Sequence, residues 1–270
     1  MRLKMTIFAL LLAAFARPAA AQVNLQVAPY PVPYPFFDAE ANEHSIFSMS
    51  YVHTSLSQNN NPNLILNGAA IGVTYRKALN EQMAWDAQLS IVPEFGNTTY
   101  GTKLYSVGVP LTTDFEYEPL KTKNLGVIVF AGPHFNIGSS NYAQATTYSK
   151  IAPVRDGEGV QTSGSTSLMY GLQFGGQVGV DTGWAKIAPF VMISPDWGSY
   201  TSKAYSFAKN AVVTTNASLP ATVMTSFGAQ VFFGPGFGIS ILSQTSPSAT
   251  ANGITYSSFR NLLANVNFAF

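Results

Sequence analysis

The chain has 270 residues, with 14 Lys and Arg against 13 Asp and Glu and no cysteine. A near-neutral balance without a basic patch excludes nucleic acid as a partner, and the lack of cysteine excludes a disulfide framework. Charged residues make up 10% of the chain, against about 25% in an ordinary soluble domain. Yet hydrophobic content is 47% and aromatic content 13%, so the polar deficit is not matched by long apolar helices.

The N-terminus begins with Arg2 and Lys4, then an apolar run from Met5 to Ala16, then "RPAAAQ". Ala19 and Ala21 are the small residues that a signal peptidase requires, so residues 1–21 are expected to be a cleaved signal peptide. The run is shorter than the ~20 apolar residues of a membrane-spanning helix. Without this leader the charge balance turns slightly acidic. Residues 22–44 follow, containing "APYPVPYPFFDAEANEH". Pro31, Pro33 and Pro35 favour an extended path without ladder hydrogen bonds. This reads as a periplasmic segment, either a semi-rigid tail or one that tucks Tyr30, Tyr34, Phe36 and Phe37 into a barrel mouth.

From residue 45 onward the pattern is period two. Ala69, Ile71, Val73 and Tyr75 oppose Gly68, Ala70, Gly72, Thr74 and Arg76. Met83, Trp85, Leu89 and Ile91 oppose Asp86, Gln88 and Ser90. Tyr105, Leu111, Phe115 and Tyr117 oppose Ser106, Thr112, Asp114 and Glu116. Leu168, Tyr170, Leu172, Phe174 and Val178 oppose Gly171, Gln173, Gly175 and Gln177. A strand shows alternate residues to opposite faces. In a soluble sandwich the second face would carry Lys and Glu. Here it carries Gly, Ser, Thr, Gln and Asn, the palette of a crowded barrel interior, while the greasy face suits lipid.

Strand centres fall near Met49, Ile71, Leu89, Val109, Val129, Phe174, Val191, Phe227, Ile241 and Ala264. Their links are expected to alternate, with long ones such as "SQNNNPNLILN" and "GSYTSKAYSFAKNAVVTTNAS" and short ones such as "KALNE", "EPLKTKN", "DTGW" and "GPG". The fold class is therefore all-β: a transmembrane antiparallel up-and-down β-barrel over residues 45–270. Its strand number is ten, with eight or twelve as alternatives. Short turns mark the periplasmic side.

The chain ends in "NLLANVNFAF". Leu262, Ala264, Val266, Phe268 and Phe270 alternate on one face, and this resembles the terminal strand of Gram-negative outer-membrane proteins. The resemblance implies location in the outer membrane and recognition by the barrel-assembly machinery. "VGVPLTTDFEY" and "LGVIVFAGPHFNIG" resemble strands of small barrels of the opacity and OmpA-like type. No peptidoglycan-binding domain is expected after Phe270.

The candidate catalytic residues are few. "VHTSLS" places His53 and Ser55 in an H-x-S spacing similar to that of outer-membrane phospholipase and lipid A deacylase. Leu56 and Ser57 depart from those families, and no third residue to orient the base is identifiable. An omptin-like site would need acidic and His pairs at the extracellular rim, where His134 is the sole candidate and reads as an inward, hydrogen-bonded side chain. No metal-ligand spacing is present, and no catalytic residue, cofactor or metal is expected.

The charged residues on the lumen parity point elsewhere. Arg76, Asp86, Asp114 and Glu116 fall on neighbouring strands in the periplasmic half, and Asp181 and Lys186 flank a turn at the same level. Buried charges must be paired, since an orphan costs several kcal/mol. A charge-paired constriction of the lumen is the expectation, with three readings in order: a structural or surface-interaction barrel, a narrow porin-like channel for small solutes, and a barrel hydrolase acting on lipid. Outer-membrane lipid and lipopolysaccharide are the expected surroundings. Sequence names no partner for the extracellular loops.

Overall fold

The computed structural model describes residues 43–58, 61–97, 103–144, 161–206, 211–234, 236–251, 254–256 and 258–269. The expected signal peptide, residues 22–42 of the expected Pro-rich segment and Phe270 lie outside the described residues. Among the described residues there are twelve strands: β1 Glu43–Gln58, β2 Asn61–Ala78, β3 Met83–Asn97, β4 Lys103–Lys121, β5 Leu125–Gln144, β6 Gln161–Asp181, β7 Lys186–Ser206, β8 Ala211–Phe232, β9 Phe237–Ser246, β10 Ala249–Ala251, β11 Ile254–Tyr256 and β12 Ser258–Ala269. Ten of them close an antiparallel barrel in which each strand pairs with its sequence neighbour and β12 returns to β1. The short β10 and β11 form a separate hairpin between β9 and β12. All ten expected strand centres lie in barrel strands.

Closure follows from the alternation. Ile71, Val191 and Phe227 are 56%, 59% and 57% exposed, while Gln88, Asp114 and Gln173 are fully buried. The outside is apolar and the inside polar, the inverse of a water-soluble sandwich, and only lipid satisfies such a surface. Aromatic rings band this surface at two levels. At the short-turn end Tyr75 meets Trp85 edge-on, with ring centroids 6.2 Å apart. There too Trp184, Phe233, Phe237 and Phe268 form a chain of ring contacts at 5.8 to 6.1 Å. At the other level Phe95 lies 4.9 Å from Tyr105. Trp85 and Phe95 are ten residues apart on β3. At ~3.3 Å per residue and ~40° tilt this is about 25 Å, the height of the apolar band of such barrels.

Short turns are built from local polar capping. Asn80 Oδ1 accepts from the backbone of Gln82 at 2.9 Å and Met83 at 2.8 Å. Asp181 Oδ1 accepts from Gly183 N at 2.7 Å. Gly183 and Gly234 sit at φ 87° and 74°, where a Cβ would be strained.

At the opposite end the structure corrects the loop lengths. The segments 57–67 and 198–218, expected as long loops, are mostly strand: β1 runs to Gln58 and β2 starts at Asn61, while β7 runs to Ser206 and β8 starts at Ala211. Residues 244–253, expected as a closing loop, include the end of β9 and all of β10. Above the apolar band a strand needs no greasy face, so the ladder continues through Ser, Thr and Asn. The wall is uneven. β5 to β8 are 20 to 22 residues long, whereas β9 has 10 and β12 has 12.

Candidate functional site in the lumen

Four of the six expected lumen charges come together. Arg76, Asp86, Asp114 and Glu116 are 4%, 0%, 0% and 2% exposed. In the ladder Arg76 stands opposite Asp86, and Asp86 opposite Asp114. The guanidinium passes over β3 to reach β4, with Arg76 Nη2 at 2.5 Å and Nε at 2.8 Å from Glu116 Oε2. Ala84, opposite Glu116 on the crossed strand, is small enough to lie beneath. Asp86 instead accepts from Gln88 Nε2 at 3.1 Å. The remaining two residues are elsewhere: Asp181 and Lys186 are register partners at the β6–β7 turn, half-exposed at the mouth of the lumen.

The crossing by Arg76 is one case of a wider pattern. Gln173 on β6 donates to Asp114 Oδ2 on β4, passing Gly132 of β5. His134 Nε2 on β5 lies 2.5 Å from Asp196 Oδ1 on β7, passing Gly171 of β6. Thr54 on β1 donates to Glu94 on β3, passing Gly68 of β2. Each glycine is needed. A Cβ at Gly171 would lie 2.9 Å from His134 Cε1 and 2.6 Å from Asp196 Oδ1. At Gly68 it would lie 2.8 Å from Glu94 Cγ, and at Gly132 2.7 Å from Asp114 Oδ1. The glycine stripe, read from sequence only as small lumen-facing residues, makes room for side chains that tie alternate strands together. His134 is inward and hydrogen-bonded as expected, but it lies midway along β5 rather than at the rim.

The other side of the lumen is closed differently. Val52, Ala70, Val92, Phe190, Leu242 and Leu263 form an apolar layer contributed by β1, β2, β3, β7, β9 and β12. Phe190 lies over Gly228, where a Cβ would approach the ring to 2.6 Å. Nearer the short-turn end Ile46, Phe232 and Ala269 make a second apolar cluster. Between them is a cavity of ≈ 50 Å³ lined by Ser48, Ser50, Thr74, Ser90, Asn265 and Asn267, among others. A water needs about 10–15 Å³ of such space, so the cavity has room for a few waters and little else.

Sequence reasoning missed Glu94, Asp196, Phe190 and Phe232. Parity could have found the two acids, which continue the lumen faces of β3 and β7. The two aromatics break the rule that this face is small, and the glycines that admit them are visible only once strand register is known.

His53 and Ser55 face outward, not into the lumen. His53 Nδ1 bonds Asn67 Oδ1 at 2.8 Å, and Tyr51 donates to the same oxygen at 2.7 Å. The imidazole is thus engaged by Asn67 of the neighbouring strand. In the terminal strand Leu262, Ala264 and Phe268 face outward with Val266 on the same parity, in register with β1 from Ile46 to Ser57.

No protein-family model matches the chain, and no curated protein matches it. Among solved structures the chain is similar to the outer membrane protease OmpT of Escherichia coli, with a TM-score of 0.59 and 10% identity over 84% of this chain and 95% of that one. The translocator domain of the autotransporter NalP of Neisseria meningitidis gives 0.48 and 9%, over 87% and 91%. The attachment invasion locus protein Ail of Yersinia pestis gives 0.37 and 8%, over 85% and 99%. At 10% identity the likeness to OmpT is one of fold alone. Closed topology, apolar outer band, aromatic girdles and polar lumen together define the protein as a small outer-membrane β-barrel.

Proposed function

We propose that the protein is a non-enzymatic barrel with a closed lumen, serving as a structural or surface-interaction element of the outer membrane. The observation that carries this is the filling of the lumen: bridges of Arg76, Gln173 and His134 to carboxylates on one side, and the Phe190 layer on the other. The tall wall of β5 to β8 would then be the part offered to the exterior. A catalytic role is disfavoured because His134 and Asp196 are 0% and 1% exposed, and a reacting group must reach its substrate. A barrel-assembly role for the terminal strand belongs to the same reading.

The alternative of a narrow solute channel draws on the polar cavity beneath the apolar layer. Conductance of the purified protein in planar bilayers separates the two. Closure gives no steady current, whereas large steady openings would replace this reading with the channel.

A further inference from the structure

The outer surface of the barrel carries a polar cluster that the lumen reading does not use. His53 stands opposite Asn67, and Asn67 opposite Phe95, whose ring packs on Tyr105. The cluster is thus level with the upper aromatic girdle, at the boundary between acyl chains and headgroups on the side away from the short turns. Arg260 is exposed, opposite Ser55 on one side and Thr245 on the other, and diagonal to His53, which pairs with Leu262. A long side chain spans such a diagonal.

The donors are already arranged. Asn67 Oδ1 accepts from Tyr51 Oη and His53 Nδ1, which leaves the Asn67 amide hydrogens to donate to an external group, joined by His53 Nε2 when the ring is the imidazolium. Ser55 adds a hydroxyl beside Arg260. Among the described residues no carboxylate faces outward in this half of the barrel: Glu94 and Asp196 both point into the lumen. A guanidinium held at the membrane boundary with no acidic neighbour needs an anion from outside the protein, and the fork geometry of Arg favours a phosphate oxygen pair.

We infer that Arg260, His53, Asn67 and Ser55 form a site for the phosphate of an outer-leaflet lipid headgroup, with the lipid's acyl chains lying along Leu262, Ile71 and Tyr51. The source is the lipid rather than free phosphate, because the donors open onto the band that acyl chains cover. This inference depends on outer-membrane placement and not on closure of the lumen, so a conducting barrel would leave it standing.

The test uses the full-length protein folded in neutral detergent and native mass spectrometry with three probes: diphosphorylated lipid A, the same lipid with its phosphates removed, and inorganic phosphate. Retention of the diphosphorylated lipid is expected, with Arg260→Gln and Asn67→Ala each weakening it by about tenfold. Lys203→Gln, higher on the exterior, should leave retention unchanged. Heat-modifiable migration confirms that each variant is folded, and Arg260→Gln alters only an exposed side chain. Equal retention of the dephosphorylated lipid, equal binding of inorganic phosphate, or wild-type retention by both folded variants would each overturn the assignment.

Discussion

His134 and Asp196, on strands separated by β6, are joined by a 2.5 Å hydrogen bond that passes over Gly171. One nitrogen of His134 and one oxygen of Asp196 are thus paired across a strand that contributes no side chain. Their worth depends on the gap. A methyl group at residue 171 would meet Pro195 O at 2.2 Å as well as both bonded side chains. Gly171→Ala is therefore expected to destabilise the barrel by about 2 kcal/mol through overpacking, read as a lower urea midpoint for loss of the heat-modifiable form. An unchanged midpoint would mean that β6 shifts freely here and that the bridge is not a constraint.

The Arg76–Glu116 pair makes a two-sided prediction. Removing one partner leaves a buried charge uncompensated, whereas removing both with apolar replacements need not. Arg76→Ala should cost about 3 kcal/mol, because Glu116 would remain beside Asp86 and Asp114 without its cation. Arg76→Leu combined with Glu116→Leu should recover most of that loss. Equilibrium unfolding of both variants in one lipid composition checks this. If the double variant is no more stable than Arg76→Ala, the pair is not an isolated unit, and Asp86 or Asp114 shares its cation.

Much of the fold was legible because each face of a barrel strand has one solvent. Alternation at Ile71, Val73 and Tyr75 against Gly72, Thr74 and Arg76 needs no tertiary information, and it placed every barrel strand. Strand ends were less visible. Above the lipid nothing forces polar and apolar residues to alternate, so Asn61 or Thr214 reads as loop although both extend the ladder. The site was half legible. Parity placed Arg76, Asp86, Asp114 and Glu116 on one wall, but register decides which pair binds, and Phe190 over Gly228 is a relation between two strands that neither segment announces.

Orientation can be measured on intact cells because the chain has no cysteine of its own. Glu81 lies in the β2–β3 turn at the end where β1 begins, and Lys203 is exposed on the projecting part of β7. With short turns in the periplasm, Lys203→Cys should react with a membrane-impermeant maleimide on whole cells. Glu81→Cys should react only after the outer membrane is permeabilised. Labelling of Glu81→Cys alone on intact cells would invert the barrel and move the Arg260 cluster to the inner leaflet.

The apolar layer is where a closed lumen would be opened. Phe190 is the largest side chain in it, crossing from β7 towards Val52, Val92 and Leu263, and its ring occupies the space that Gly228 leaves vacant. Phe190→Ala removes a ring without disturbing the ladder, since β7 keeps its pairing to β6 and β8. The gap would join the Ser- and Asn-lined cavity below to the exterior, giving water a continuous path past Leu242. Loss of a buried ring costs about 3–5 kcal/mol, so the variant should unfold earlier while retaining the barrel. In planar bilayers the wild type should show no steady current and Phe190→Ala small steady openings. Arg76→Ala should add less, because the Gln173 and His134 bridges still span that side of the lumen. A wild-type barrel that already conducts steadily, with a current indifferent to Phe190→Ala, would show that ions bypass this layer and that the lumen is a channel.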